Sequence, residues 1–156
     1  MEIKYNQTTK CYEIDDAKII SSYRNFSGAG SKCNREGDRN FSIAIDDDRW
    51  SQYLIDEGFN VKIKAPREEG NSPFMYLGIK VKFNGWGPQV ILVSGDKMTE
   101  LNEDNVNILD DIEIVRADLD IRPYDWEANG KTGRAAYLSG IRVYQRVSRF
   151  APSAEA

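Results

Sequence analysis

The stretch IRPYDWEANGKTGRAAYLSGIRVY, residues 121–144, contains the clearest folding pattern in the chain. It predicts a strand, a glycine-rich turn with Tyr124 and Trp126 beside it, and a second strand that carries alternating cations. The Asn-Gly and Thr-Gly pairs of the turn permit positive φ angles and the close approach of another backbone. Aromatic rings, cations and such a turn are what a protein needs to hold a flexible polyanion with stackable bases. The stretch therefore favours single-stranded nucleic acid binding over catalysis.

Size and composition are those of one ordinary globular domain. The chain has 156 residues, of which 40% are apolar and 29% are charged, enough to bury a core. We expect a single domain over residues 1–149, followed by a disordered tail over residues 150–156. The apolar runs are too short for a transmembrane helix, and the first ten residues lack the apolar core of a secretory signal. We therefore expect a cytoplasmic protein with no membrane partner.

Acidic and basic residues are separated along the chain, although the net charge is −4. Acids dominate residues 96–113, and bases outnumber acids over residues 116–149. A basic groove on an acidic body fits this separation, as does a mixed and solvated surface. The chain contains no histidine, and so lacks the commonest general base and the commonest metal ligand.

Alternating apolar residues predict about seven strands and one or two short helices. Their spacing favours an all-β barrel with hairpin insertions over alternating strand and helix units. One helix is expected over residues 46–58, where the aspartates at its start supply the N-cap and Gly58 supplies the end. In residues 74–83 the apolar side chains point one way, and the opposite face carries Phe74, Tyr76, Lys80 and Lys82.

The outward face of the middle strands is the first candidate binding surface. It would collect four lysines and two aromatic residues if the two strands pair: Lys62, Lys64, Phe74, Tyr76, Lys80 and Lys82. Lysines neutralise phosphates, and each aromatic stack contributes about 1–3 kcal/mol per base. In the alternative, the exposed lysines protect strand edges from aggregation and Phe74 packs against a loop.

The turn after Ile121 is the second candidate. Tyr124 and Trp126 offer rings for stacking, and Lys131 and Arg134 beside the glycines offer contacts to phosphates. In the alternative, the segment is a plain hairpin in which Trp126 caps the barrel.

Two further places complete the set of candidate contacts. The tripeptide Arg-Asn-Phe occurs twice, and its arginines, Arg24 and Arg39, are candidate clamps at the intervening loop. On the last strand, Arg142 and Tyr144 are expected to point outward, where they extend the groove or form a solvated face. Tyr137 is expected on the core side.

No catalytic residue, cofactor or metal site is expected. Asp118 and Asp120 share a strand face with two arginines, and we interpret them as members of surface ion pairs. A metal-dependent nuclease built on these two carboxylates stays open as an alternative. A β-rich structural or interaction protein that binds no nucleic acid is the other alternative.

Residues 122–143, RPYDWEANGKTGRAAYLSGIRV, resemble the closing hairpin of the bacteriophage single-stranded DNA-binding proteins with an OB fold. In that family an aromatic segment leads to a Gly-Lys-x-Gly turn and a long final strand. The residues that match this pattern are Tyr124, Trp126, Gly130, Lys131, Gly133, Tyr137 and Leu138. The resemblance implies an elaborated OB barrel that coats exposed DNA strands during phage replication or recombination, with low sequence specificity.

The same resemblance implies a set of partners. They are single-stranded DNA and the proteins of replication or recombination, in the host-cell cytoplasm if a phage encodes the chain. Whether the chain forms a homodimer stays open.

Overall fold

The computed structural model describes residues 1–32, 34–65, 73–84 and 87–147. They form a sheet of nine strands with one α-helix and two short 3-10 helices. The strands are β1 (Glu2–Asn6), β2 (Cys11–Ile19), β3 (Arg39–Ile45), β4 (Val61–Lys64), β5 (Phe74–Val81), β6 (Gln89–Ser94), β7 (Lys97–Leu101), β8 (Ile114–Ala128) and β9 (Lys131–Gln145). The α-helix, α1, covers Asp48–Asp56, and the 3-10 helices cover Ser21–Tyr23 and Val106–Asp110. The predicted tail over residues 150–156 lies outside the described residues.

Five of the strands close into a barrel. β5 pairs with β3, β3 with β2, β2 with β8, and β8 with β9, and all four pairings are antiparallel. A parallel pairing of β5 with β9, in which Lys80 lies opposite Tyr137, closes the ring. A five-stranded, partly open barrel of this kind is the OB fold. The prediction of an all-β chain with an elaborated OB barrel is confirmed.

The remaining strands are additions to the barrel. β1 pairs with β2, β4 pairs with the first half of β5, and the hairpin β6–β7 pairs with β9 through β6. The sequence predicts about seven strands, whereas the described residues form nine. The two additional strands are β1, in a segment that the sequence leaves open as a loose lead-in or an edge strand, and β7, which the sequence does not predict. Only Ile3 and Leu101 are buried in them, so no apolar alternation marks them.

The barrel interior is filled by aliphatic side chains and one pair of stacked rings. Each ring strand contributes a fully buried side chain, namely Ile14, Ile43, Ile79, Ile121 and Val143. Phe26, which precedes β3, stacks on Phe41 with ring centroids 5.0 Å apart. Because Leu77, Ile79 and Val81 all point inward, the predicted division of β5 into a core face and an outer face is confirmed.

The helix α1 fills the connection between β3 and β4. The carboxylate of Asp47 caps its first turn by accepting a hydrogen bond of 2.8 Å from the amide of Arg49. Gly58, with a φ of 93°, ends the helix as predicted, because a left-handed residue there suits glycine. The chain then turns so that Phe59 pairs with Arg134 of β9.

β8 and β9 extend beyond the barrel as a two-stranded arm. β2 pairs with β8 only as far as Ile121, and the β8–β9 ladder continues to Ala128 and Lys131. Asn129 and Gly130 form the turn with φ angles of 53° and 76°, the two positive values of a type I′ turn. The predicted order of strand, turn and strand over residues 121–144 is confirmed, but the expected turn after Ile121 is too long. β8 continues to Ala128 and β9 begins at Lys131, because the Asn-Gly pair alone makes the turn. We call residues 122–136 the arm.

Among the described residues, neither α1 nor the two 3-10 helices has the length and apolar character needed to cross a membrane.

Replacing Phe41 with alanine should lower the free energy of unfolding by about 3–5 kcal/mol, because it leaves a cavity beside Phe26. Urea denaturation measures the change. The control is Ile63→Ala, since Ile63 is 66% exposed and its loss should change the free energy by about 0.5 kcal/mol or less. Equal losses in the two variants would contradict this description of the core.

Candidate nucleic-acid interface

A groove of about 980 Å³ runs across the outer faces of β3, β5 and β9. The loop over residues 34–38 borders it on one side, and the segment Gly58–Lys62 and the arm border it on the other. The strand register places Asn40 opposite Lys80 and Ser42 opposite Gly78 on this face. The groove therefore lies over the strands on which OB folds bind oligonucleotides.

Small side chains form the floor of the groove. Gly78 lies between two inward-pointing residues of β5 and so faces the groove, next to Ser42 of β3. A Cβ atom at Gly78 would meet only the Ser42 hydroxyl, at 3.9 Å. Ala135 of β9 also lines the floor. The side chains of the floor that the structure describes at Gly78, Ser42 and Ala135 are small, and they leave the backbone of β5 accessible to a sugar or a base.

Lysines supply the positive charge of the groove. Lys62, Lys80 and Lys82 line it and are exposed. Arg39 also lines it, but its Nε donates to the carbonyl of Phe26 at 2.9 Å and its Nη1 lies 3.5 Å from a Glu103 carboxylate oxygen. The mobile charge available to a phosphate therefore belongs to the lysines, while Arg39 holds the edge of the loop in place.

Three aromatic residues stand at the arm side of the groove. The rings of Tyr124 and Tyr137 meet edge to face, with centroids 5.8 Å apart, and Lys80 lies over the Tyr137 ring at 5.8 Å. Tyr124 is 57% exposed and Trp126 is 42% exposed. The Trp126 indole covers Gly133, where a Cβ atom would overlap the ring. We call Tyr124 and Trp126 of the arm, together with Tyr137 just after it, the arm aromatics.

The expectation that Tyr137 points to the core is wrong. Ala136 and Leu138 occupy the inward positions, and Tyr137 is half-buried on the outer face. The β8–β9 register shifts between Asp120 and Ile121, and such a bulge reverses the faces of a strand on either side of it. Counting alternate residues back from Ile141 therefore assigns Tyr137 to the wrong face.

A second group of rings lies at the opposite end of β5. Tyr76 stacks on Tyr23 with centroids 5.3 Å apart and contacts Phe74 at 5.7 Å. The ammonium group of Lys64 lies over the Tyr23 and Phe74 rings and donates to the Tyr23 hydroxyl. We call Tyr23, Phe74 and Tyr76 the β5 aromatics. Tyr23 was not predicted, because its segment has no alternation and only the folded chain brings it to Tyr76.

The predicted contacts are not all gathered in one place. The residues that line the groove are Arg39, Lys62, Lys80, Lys82, Trp126 and Arg134. The Tyr124 ring contacts that of Tyr137, which lines the groove. Lys64 of β4 and Phe74 and Tyr76 of β5 lie beyond the groove, toward the start of β5. Lys131 is exposed at the far end of the arm, beside the turn.

Three predicted residues lie elsewhere. Arg24 donates to the carbonyl of Ile112 at 2.8 Å, away from the groove. Arg142 and Tyr144 lie outward on β9 beside β6, opposite Ile91 and Val93. The Tyr144 ring is covered by the guanidinium of Arg116 at 3.8 Å. Arg142 and Tyr144 therefore lie on a surface separate from the groove.

Asp118 and Asp120 differ in their surroundings. Asp118 accepts hydrogen bonds from Arg116 and from the amide of Asp16, as the ion-pair interpretation predicts. Asp120 lies opposite Glu13 on the paired strand, and burial, with Glu13 and Asp15 nearby, raises its pKa. Within the described ranges, no three acidic or cysteine side chains are arranged to hold a metal ion.

Comparison with protein families gives one match over almost the whole chain. The family model described as "Putative phage ssDNA-binding domain" matches residues 2–148. The chain belongs to this phage single-stranded DNA-binding family. No curated protein sequence matches the chain.

Comparison with solved structures shows a shared fold. The C-terminally truncated single-stranded DNA-binding protein from bacteriophage Enc34 aligns with a TM-score of 0.59 and 12% identity, over 96% of this chain and 98% of that chain. The same phage protein in complex with single-stranded DNA aligns with a TM-score of 0.59 and 12% identity, over 92% and 91%. At this identity the similarity shows a shared fold, and the family match carries the assignment to single-stranded DNA binding.

Filling the groove floor should block binding without damaging the fold. We expect Gly78→Val to weaken single-stranded DNA binding about tenfold or more, because a stacked base contributes about 1–3 kcal/mol. The change should leave the unfolding temperature unchanged or higher, since valine favours a strand and has room there. Gly78→Ala, which adds only the Cβ atom, should have a smaller effect on affinity. Unchanged affinity in the valine variant would remove β5 from the path of the DNA.

Replacing Asp120 should stabilise the protein at neutral pH. A raised carboxyl pKa means that the folded protein holds this proton more tightly than the unfolded chain. Stability is therefore lost as the pH rises above the ordinary aspartate value of about 4. Asp120→Asn should raise the unfolding temperature at pH 7, whereas Asp118→Asn should lower it because it weakens the contact to Arg116. Thermal unfolding that ranks the variants in the opposite order would contradict this assignment.

Proposed function

We propose that the protein coats single-stranded DNA exposed during phage replication or recombination, with little preference for sequence. The observation that carries the proposal is the groove, in which lysines stand beside a floor of small side chains with aromatic groups toward both ends. Lysines there would neutralise phosphates and rings would stack on bases, which is the combination that single-strand binders use. The solved complex of the Enc34 protein with single-stranded DNA, on the same fold, supports the proposal.

The proposed contacts differ in where they lie along the DNA path. Phosphates would bind Lys62, Lys80 and Lys82 in the groove, and bases would stack on the arm aromatics. A longer DNA strand would continue over Lys64 and the β5 aromatics. Arg39 would act at the loop edge.

The other candidate contacts lie outside the groove. Lys131 would meet DNA that follows the arm. Only a DNA strand that wraps beyond the groove would reach Arg24, Arg142 and Tyr144.

Low sequence preference follows from the chemistry of these groups. Every base has a π-face that an aromatic ring can stack on, and every nucleotide brings the same phosphate. The groove lysines are flexible point charges, which do not impose the bidentate geometry that reads one base. The same groove suits a protein that must cover whatever sequence is exposed.

The wider role follows from this mode of binding. We propose a non-enzymatic protein that acts in the host-cell cytoplasm, with residues 1–149 serving as one functional unit and no cofactor. Its protein partners would be components of phage replication or recombination. A second copy of the chain bound alongside would form the homodimer that the sequence leaves open.

A titration with labelled oligo(dT) at several salt concentrations tests the proposal. Binding should weaken linearly on a log–log plot, with a slope of about −0.7 per phosphate neutralised. Replacing Lys80 and Lys82 by glutamine should lower the magnitude of that slope by about 1.4, the contribution of two contacts. Duplex DNA of the same length should bind more weakly.

The matched control is the double variant Lys4→Gln with Lys97→Gln. It changes the net charge by the same amount through exposed lysines of β1 and β7, away from the groove. Its slope should stay close to that of the unchanged protein. No binding to oligo(dT) would refute the function, and equal slopes in the two double variants would move the phosphate contacts out of the groove.

A further inference from the structure

We propose that Arg134 is a positioning residue that latches the arm to the C-terminal end of α1, and that it is not a phosphate contact. The inference rests on the proposed function, since the arm carries the rings that would stack on DNA. The sequence alone suggests the opposite role, because Arg134 is a cation beside a glycine turn.

The guanidinium of Arg134 is already engaged on three sides. Its Nε and Nη2 donate to the two carboxylate oxygens of Asp125 at 2.7 and 3.2 Å. Its Nη1 donates to the carbonyl of Glu57 at 2.9 Å and to the Tyr12 hydroxyl at 3.4 Å. Four of the five N–H donors of an arginine are therefore used within the protein, and a phosphate would have to displace them.

Packing holds the same side chain in place. The guanidinium lies 5.7 Å from the centre of the Phe59 ring, and the side chain is 27% exposed. The backbone of Phe59 also pairs with that of Arg134 in a parallel bridge. A cation whose stem and head are both packed in this way is poorly suited to follow a moving phosphate.

The partners of Arg134 come from three separate parts of the fold. Asp125 lies opposite it in the arm, Tyr12 belongs to β2, and Glu57 is the C-cap residue that follows α1. A helix C-terminus favours a cation because its last carbonyls are unpaired and carry partial negative charge. The latch thus joins the arm to the helix that was added between β3 and β4.

The latch bears directly on the arm aromatics. Asp125 lies between Tyr124 and Trp126, and Gly133, which the Trp126 indole covers, precedes Arg134. With the arm held against α1, these rings stay at the side of the groove when no DNA is bound. Because the arm is already ordered before binding, less conformational entropy is lost when DNA binds.

Tyr12 and Asp125 keep the latch in one ionisation state at neutral pH. Burial and the hydrogen bond to Glu57 raise the pKa of Tyr12 to about 12. The hydrogen bonds from Arg134 lower the pKa of Asp125. The tyrosine therefore stays protonated and the carboxylate stays charged, so the contacts do not depend on pH near 7.

Three variants separate a latch from a phosphate contact: Arg134→Lys, Arg134→Gln and Asp125→Asn. For a latch, all three should weaken oligo(dT) binding about tenfold with the salt slope unchanged. Lysine keeps the charge but cannot form the fork of hydrogen bonds. The double variant Arg134→Gln with Asp125→Asn should bind no more weakly than Arg134→Gln alone, because the glutamine already removes the contact that Asp125→Asn weakens.

A phosphate contact gives the opposite pattern. Arg134→Lys would keep most of the affinity, Arg134→Gln would lower the magnitude of the salt slope by about 0.7, and Asp125→Asn would tighten binding by releasing the cation. That pattern would overturn the proposal. The proposal would also be overturned if every variant that loses affinity, including the exposed Asp125→Asn, shows a matching fall in unfolding temperature. The loss would then reflect general destabilisation of the fold.

The failure of the latch is distinguishable from the failure of the proposed function. If the unchanged protein does not bind oligo(dT), the function itself is wrong. If it binds, and the lysine pair Lys80 and Lys82 sets the salt slope while the three latch variants behave as the unchanged protein, only the latch is wrong.

Discussion

The barrel closes through a single parallel pairing between Lys80 of β5 and Tyr137 of β9, and the groove exists because this closure is so short. Before that point in both strands, β4 occupies the free edge of β5 at Phe74–Leu77. Over the same stretch, the residues of β9 that precede Tyr137 pair only with β8, in the arm. The outer face of β5 is therefore open between two diverging elements. A longer β5–β9 ladder would close the barrel more completely and would leave no trough for a polymer.

The local arrangement of charge, and not its total, makes the groove suitable for a polyanion. The net charge is −4, yet exposed lysines of β4, β5 and the residue after β5 line the groove. At physiological salt, charges more than about 8 Å apart are largely screened, so acids on distant strands do not cancel this field. Asp38 and Glu103 are acids that do line the groove, and Glu103 is held beside Arg39.

The sequence predicts the parts of the site that depend on local rules. The Asn-Gly pair specifies the turn because both residues accept positive φ, and the alternation in β5 places Phe74, Tyr76 and Lys80 outward because its apolar residues need the core. Sequence reasoning fails where a position depends on distant partners. Tyr137 was misplaced because a bulge changes the strand face, and Tyr23 was missed because only tertiary contacts bring it to Tyr76.

Arg134 illustrates the limit most clearly. Its residue type and its place beside a glycine turn are those of a phosphate contact, and no local rule says otherwise. Its actual partners are Asp125 at nine positions' separation, Glu57 at 77 and Tyr12 at 122. A cation's role depends on whether its hydrogen bonds are already satisfied, and that information exists only in the folded chain.

Two of the elements added to the barrel, β4 and α1, have a similar role, because each contacts one of the two aromatic groups or the residues beside it. Tyr76 and Lys80 are four residues apart on β5, about 13 Å at the rise of a strand, so the β5 aromatics and the arm aromatics flank a stretch of small side chains. Each group depends on an added element, β4 with Lys64 in one case and α1 with Glu57 in the other. The barrel provides the floor, and the insertions hold the rings at its two ends. In the proposed function, stacking at the two ends with an open floor between them would restrain a DNA strand at two places without reading the bases, which is what coverage of arbitrary sequence requires.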